Sequence, residues 1–97
     1  MTYGVLDTIV LDRDLPDQGL RKGDLGAVVE VYEGDGLEVE FVKASGKTVA
    51  LLTLNARDVR PVADDDLVSV YPFGRAIALS EIDGQVDTDE RWEIAVA

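Results

Sequence analysis

The chain contains no cysteine and no histidine. Without cysteine there is no disulfide and no thiolate nucleophile or ligand. Without histidine the commonest general base and the commonest metal ligand are missing. A zinc site built from Cys or His is excluded outright. An enzyme on this chain would have to work with carboxylates, lysine, arginine, tyrosine and serine. No apolar run approaches the roughly 18–20 residues that a membrane helix needs. The N-terminal stretch MTYGVLDTIVLDRD lacks the basic flank of a secretory signal. These absences predict a bacterial-type cytoplasmic protein with no catalysis, no cofactor, no metal and no membrane contact.

What is present fits one small folded domain, with 97 residues of which 46% are hydrophobic. The net charge is −11, from 20 acidic and 9 basic residues. Such a chain repels phosphate backbones, which disfavours nucleic acid unless Arg13, Arg21, Lys22, Arg57 and Arg60 gather on one face. The same charge speeds association with a basic protein, although it serves solubility equally well. The charge is uneven. Residues 1–62 hold 11 acids and 7 bases, whereas residues 63–97 hold 9 acids and 2 bases. The boundary is the acidic run Asp64-Asp65-Asp66.

Residues 4–62 read as about five short strands. The first, 4–11, is apolar on both sides. In AVVEVY, Ala27, Val29 and Val31 share one face, with Val28, Glu30 and Tyr32 on the other. Asp35-Gly36 reads as a hairpin turn. Leu37, Val39 and Phe41 then alternate with the outward Glu38 and Glu40. A turn at 44–46, with Gly46, leads to KTVALLTL, which is apolar on both faces and so expected to be central or covered. Asn55–Asp58 reads as a short helical turn capped by Asn55, and Val59–Val62 as a closing strand. Short strands with tight turns predict a small closed or nearly closed barrel over 1–62. The acidic extension 63–97 packs on the barrel or on a partner. LVSVYPF within it is a candidate sixth strand.

Three stretches invite chemical readings. Gly19, Gly23 and Gly26 could cradle a phosphate, but their spacing is G-x-x-x-G-x-x-G and a strand follows, not a helix N-terminus. Gly19, Gly23, Asp24 and Gly26 are therefore read as turn residues, as are Asp35, Gly36 and Gly46. Ser45-Gly46-Lys47-Thr48 resembles the end of a nucleotide loop, but the required earlier glycine is Phe41 and strands lie on both sides. Asp64, Asp65 and Asp66 lack calcium-loop spacing. Tyr71, Phe73 and Trp92 either pack back over the two-faced strands or anchor a partner.

Residues 6–62 resemble a family of short, mainly bacterial proteins catalogued as a domain of unknown function. Asp14-Leu15-Pro16, Gly19-Leu20, Gly23-Asp24-Leu25-Gly26, Val28–Tyr32, Val39-Glu40-Phe41, Thr53-Leu54 and Val59–Val62 carry the resemblance. It implies an SH3-like barrel. More distantly, the Gly-Asp-x-Gly turn is similar to turns in the nitrile hydratase β subunit, the photosystem I subunit that docks ferredoxin, and KOW modules. The closer family's members often look like the small partner of a neighbouring toxin-like protein, which implies an antitoxin role. The expectation is thus an all-β, non-catalytic module that binds and neutralises a basic protein. Its candidate contacts are Asp64, Asp65, Asp66, Tyr71, Phe73, Asp87, Asp89, Glu90 and Trp92. The alternative is an accessory subunit that docks or stabilises an enzyme. Self-association is left open.

Overall fold

The computed structural model describes residues 2–74. It is all-β, with five antiparallel strands in one sheet: β1 (Thr8–Leu11), β2 (Leu25–Val31), β3 (Gly36–Val42), β4 (Thr48–Asn55) and β5 (Val59–Pro61). The order across the sheet is β4-β3-β2-β1-β5. Two 3-10 turns interrupt the strands, at Pro16–Gln18 and Ala56–Asp58. No helix among the described residues is long and apolar enough to cross a membrane.

The alternation of β3 sets the core. Leu37, Val39 and Phe41 are buried and meet Ile9, Leu11, Leu20, Val28, Ala50, Leu54 and Val59. Glu38 and Glu40 point away and accept hydrogen bonds from Thr53 Oγ1 and Thr48 Oγ1 on the neighbouring strand. The second 3-10 turn carries a reciprocal cap. Asn55 Oδ1 accepts from the Arg57 amide at 3.0 Å, and Asp58 Oδ2 accepts from the Asn55 amide at 3.0 Å. Such a cap satisfies donors that a short helix leaves open.

Five local expectations are corrected. The first strand is shorter than 4–11, because Asp7 Oδ2 accepts from the Gly4 amide at 2.8 Å and closes a turn. Val5 and Leu6 are left 58% and 80% exposed on that turn. The second concerns the faces of β2. A bulge between Val28 and Glu30 puts Val28 opposite Val39 and Val31 opposite Leu37, while Ala27 and Glu30 face Glu40 and Glu38. An extra residue in one strand reverses the alternation beyond it. Third, the β2–β3 hairpin takes its positive φ at Gly34 (+80°), not at the Asp35-Gly36 pair, and Gly36 already opens β3. Fourth, β4 is neither central nor covered by another described strand; it lies at the edge of the sheet with Leu51 54% exposed. Fifth, residues 67–72 form no strand.

Gly26 is a correction of a different kind. It does not sit in a turn; it is buried inside β2 and paired with Ile9. A Cβ there would lie 2.7 Å from Val39 Cγ1 and 2.8 Å from Phe41 Cε2. Two fully packed β3 side chains occupy the space that any other residue would need. Gly26→Ala is expected to destabilise the fold by about 1–3 kcal/mol, the usual cost of overpacking. Urea unfolding should show a lower midpoint at unchanged slope.

Candidate functional site

The glycine-rich stretch between β1 and β2 folds back on β1. The Gly23 amide donates to the Leu11 carbonyl at 2.9 Å, and the Leu11 amide to the Asp24 carbonyl at 2.8 Å. Within the loop, Leu15 and Leu20 pair across a turn that Gly19 closes in the left-handed region. The carboxylates finish the job: Asp14 Oδ1 accepts from the Lys22 amide at 2.8 Å and Asp24 Oδ2 from the Arg21 amide at 3.0 Å. Such self-bonding by Asp is a common way to fix a turn. The loop amides at 21 and 22 are therefore taken by the chain's own carboxylates. The look-alike at Ser45–Thr48 is a hairpin turn, with Gly46 at φ +90° and its amide donating to the Lys43 carbonyl at 2.8 Å.

Asp24 also reaches the segment beyond β5. Tyr71 Oη donates to Asp24 Oδ2 at 2.6 Å, and the Arg21 guanidinium carbon lies 3.5 Å from the centre of the Tyr71 ring. A cation over an aromatic face is attracted by the ring quadrupole. Burial raises the Tyr71 hydroxyl pKa above its ordinary value, and the bond to Asp24 adds to this. Phe73 packs on the core and sits over Gly19, its Cζ 3.4 Å from where a Cβ would stand.

The near end of the segment is held by a second clasp. Arg60 grips Asp66 with two bonds of 2.9 Å each, and Asp66 Oδ2 also accepts from the Ala63 amide at 2.6 Å. The Arg60 bond and then the Ala63 amide hold the Asp66 carboxyl down at about 2. Between the clasps, Leu67, Val68 and Val70 are 90%, 67% and 94% exposed. They line a groove of about 830 Å³ whose other walls include Leu25, Val42 and Val49. Four of its lining residues are cationic (Arg21, Lys22, Lys43 and Arg60), against the two carboxylates Asp24 and Asp66.

The acidic candidates are dispersed. Asp64 and Asp65 are exposed on a turn, while Asp66 faces Arg60, so the three do not act as one patch. Tyr71 and Phe73 are half-buried against the chain itself and are not presented as exposed anchors. Asp87, Asp89, Glu90 and Trp92 lie outside the described residues. Among the described residues no three carboxylates converge as a metal site would require. Of the basic residues that might have gathered, Arg13 pairs with Asp58 at 3.3 Å and Arg57 lies apart from the groove; Arg21, Lys22 and Arg60 do meet there. Lys43 joins them through the β3–β4 turn, which no spacing in the sequence announces.

The geometry describes a small all-β fold with a clasped strap after β5, residues 63–73, and a groove that the strap helps to line. The chain belongs to the family described as a domain of unknown function (DUF4926), whose profile matches residues 5–61, more than half of its length. No curated protein matches the chain, and no solved structure does.

The Arg60–Asp66 clasp makes stability depend on pH. A carboxyl held at about 2 in the fold, against 3.8 ordinarily, contributes stability that is complete above the unfolded value and is lost as pH falls through about 2. Asp66→Asn should lower the thermal midpoint at neutral pH. It should also flatten the fall in midpoint that the parent chain shows on acidification through that window.

Proposed function

We propose that this chain is a non-catalytic protein-binding module that captures a small basic protein, in the manner of an antitoxin acting in the bacterial cytoplasm. The observation that carries the reading is the exposure of Leu67, Val68 and Val70 on a segment clasped at both ends. Exposed apolar residues on a held backbone can bind with little further ordering, which removes one of the costs that association otherwise carries. Asp64 and Asp65 stand exposed at the head of that segment, in a chain of net charge −11. Charges of that kind steer encounter with a basic surface, and the apolar residues govern dissociation.

Asp87, Asp89, Glu90 and Trp92 extend the proposed contact set along the chain. Tyr71, Phe73 and Asp66 leave it, because their polar atoms or rings are already engaged within the fold. The sheet order, with a 3-10 turn just before the last strand, suits the SH3-like barrel that the family resemblance implies. Relatives of that kind are mostly accessory or interaction modules.

Co-expression with the product of the neighbouring reading frame tests the proposal. A stable complex with a small basic protein is expected. Asp64→Lys/Asp65→Lys should slow association and weaken its salt dependence, and Val68→Ser/Val70→Ser should speed dissociation. A complex formed instead with an enzyme subunit, or one indifferent to both double variants, would overturn this reading.

A further inference from the structure

The groove is cationic in a strongly acidic chain, and this asymmetry is unexplained by the binding reading above. Its two carboxylates are already committed, Asp66 to Arg60 and Asp24 to Tyr71 and the Arg21 amide. Lys43 has no ion pair among the described residues, and Lys22 has one loose exposed contact, 3.8 Å from Asp12. Below these cations lies apolar surface that the fold leaves open: Leu25 and Val62 are each 41% exposed and Val42 is 54% exposed. The volume of about 830 Å³ falls within the range of roughly 300–1,000 Å³ typical of sites that enclose a ligand. The occupant that suits such a groove is an extended chain rich in both carboxylates and apolar residues.

That description fits residues 75–97 of this same chain. They carry Glu81, Asp83, Asp87, Asp89, Glu90 and Glu93 against only Arg75 and Arg91, and they intersperse Ile77, Leu79, Ile82 and Trp92. The described chain ends one residue after Phe73, which lines the groove. A segment tethered this closely meets its site at an effective concentration on the order of millimolar, far above any external peptide. At about 3.3 Å per residue the segment has ample reach. We infer that the groove formed by β2, the β3–β4 turn and the strap is an intramolecular docking site for the acidic segment 75–97. A partner drawn to those carboxylates must then displace them from Lys22, Lys43 and Arg21, so the groove competes with the partner and sets the threshold for capture.

Trp92 is the chain's single tryptophan and reports on the site without any partner, so failure here is distinct from failure of the binding proposal. In the full chain its emission is expected to lie to the blue of free tryptophan amide and to resist quenching by acrylamide. Lys22→Glu/Lys43→Glu should shift it to the red and open it to quencher, with an unchanged far-UV circular dichroism spectrum. On the unmodified chain, salt at about 1 M, where screening acts within about 3 Å, should do the same in part. A separate variant, Val42→Asp, tests the apolar floor and should give the same red shift. Water-like emission in the unmodified chain would overturn the inference. So would shielding that ignores both groove variants, or shielding that rises with protein concentration, which would mark the segment of a second copy.

Discussion

Asp24 is the point on which the two halves of this structure hang. Its backbone is fixed by β1, through the bond from Leu11 to its carbonyl. Its side chain closes the loop by accepting from the Arg21 amide and then accepts again from Tyr71 Oη. One carboxylate thus couples a turn that belongs to the sheet with a strap that does not. Arg21, held by the same turn, supplies the second contact by lying over the Tyr71 ring. Neither contact is large alone, since partly exposed polar contacts contribute on the order of 1 kcal/mol each. Together with Phe73 over Gly19, they convert a stretch that forms no strand into a fixed wall.

The strap in turn makes the groove. Without a held segment, Leu25, Val42 and Val62 would be scattered apolar side chains on a small domain, which is ordinary. With it, they line one groove together with Leu67, Val68, Val70 and four cations. The cations come from three separate places: the β1–β2 loop, the β3–β4 turn and β5. The antiparallel order brings those places to one end of the sheet. An acidic chain has thereby built one basic recess, while its other described carboxylates, including Glu30, Glu38 and Glu40, lie on the outer face or on turns.

Much of the sheet was legible because its signals are local. The alternation of Leu37, Val39 and Phe41 with Glu38 and Glu40 needs only the strand period, and the Asn55–Asp58 cap needs four consecutive residues. Gly19, Gly23 and Gly46 all stand at positive φ in turns, as their neighbours suggest. The structure departs from the sequence pattern where a side chain or a bulge decides the backbone. Asp7 turns Val5 and Leu6 away from β1, a bulge reverses the faces of β2, and Arg60 clasps Asp66 just ahead of 67–72, which forms no strand. Gly26 reads as a turn residue because glycines crowd around it; its real constraint is Val39 and Phe41, on another strand. The candidate site was least legible of all. Tyr71 and Asp24 are 47 positions apart, and no pattern in a single chain relates Lys43 to Arg21.

The central claim is that the strap is fastened to the β1–β2 loop through Tyr71. Nuclear Overhauser contacts in the full chain test this most directly. Contacts are expected from the Tyr71 ring protons to the Arg21 side chain, with the Arg21 methylene resonances displaced upfield by the ring. A Tyr71 ring with contacts only to its sequence neighbours, and Arg21 resonances at their unstructured positions, would contradict it.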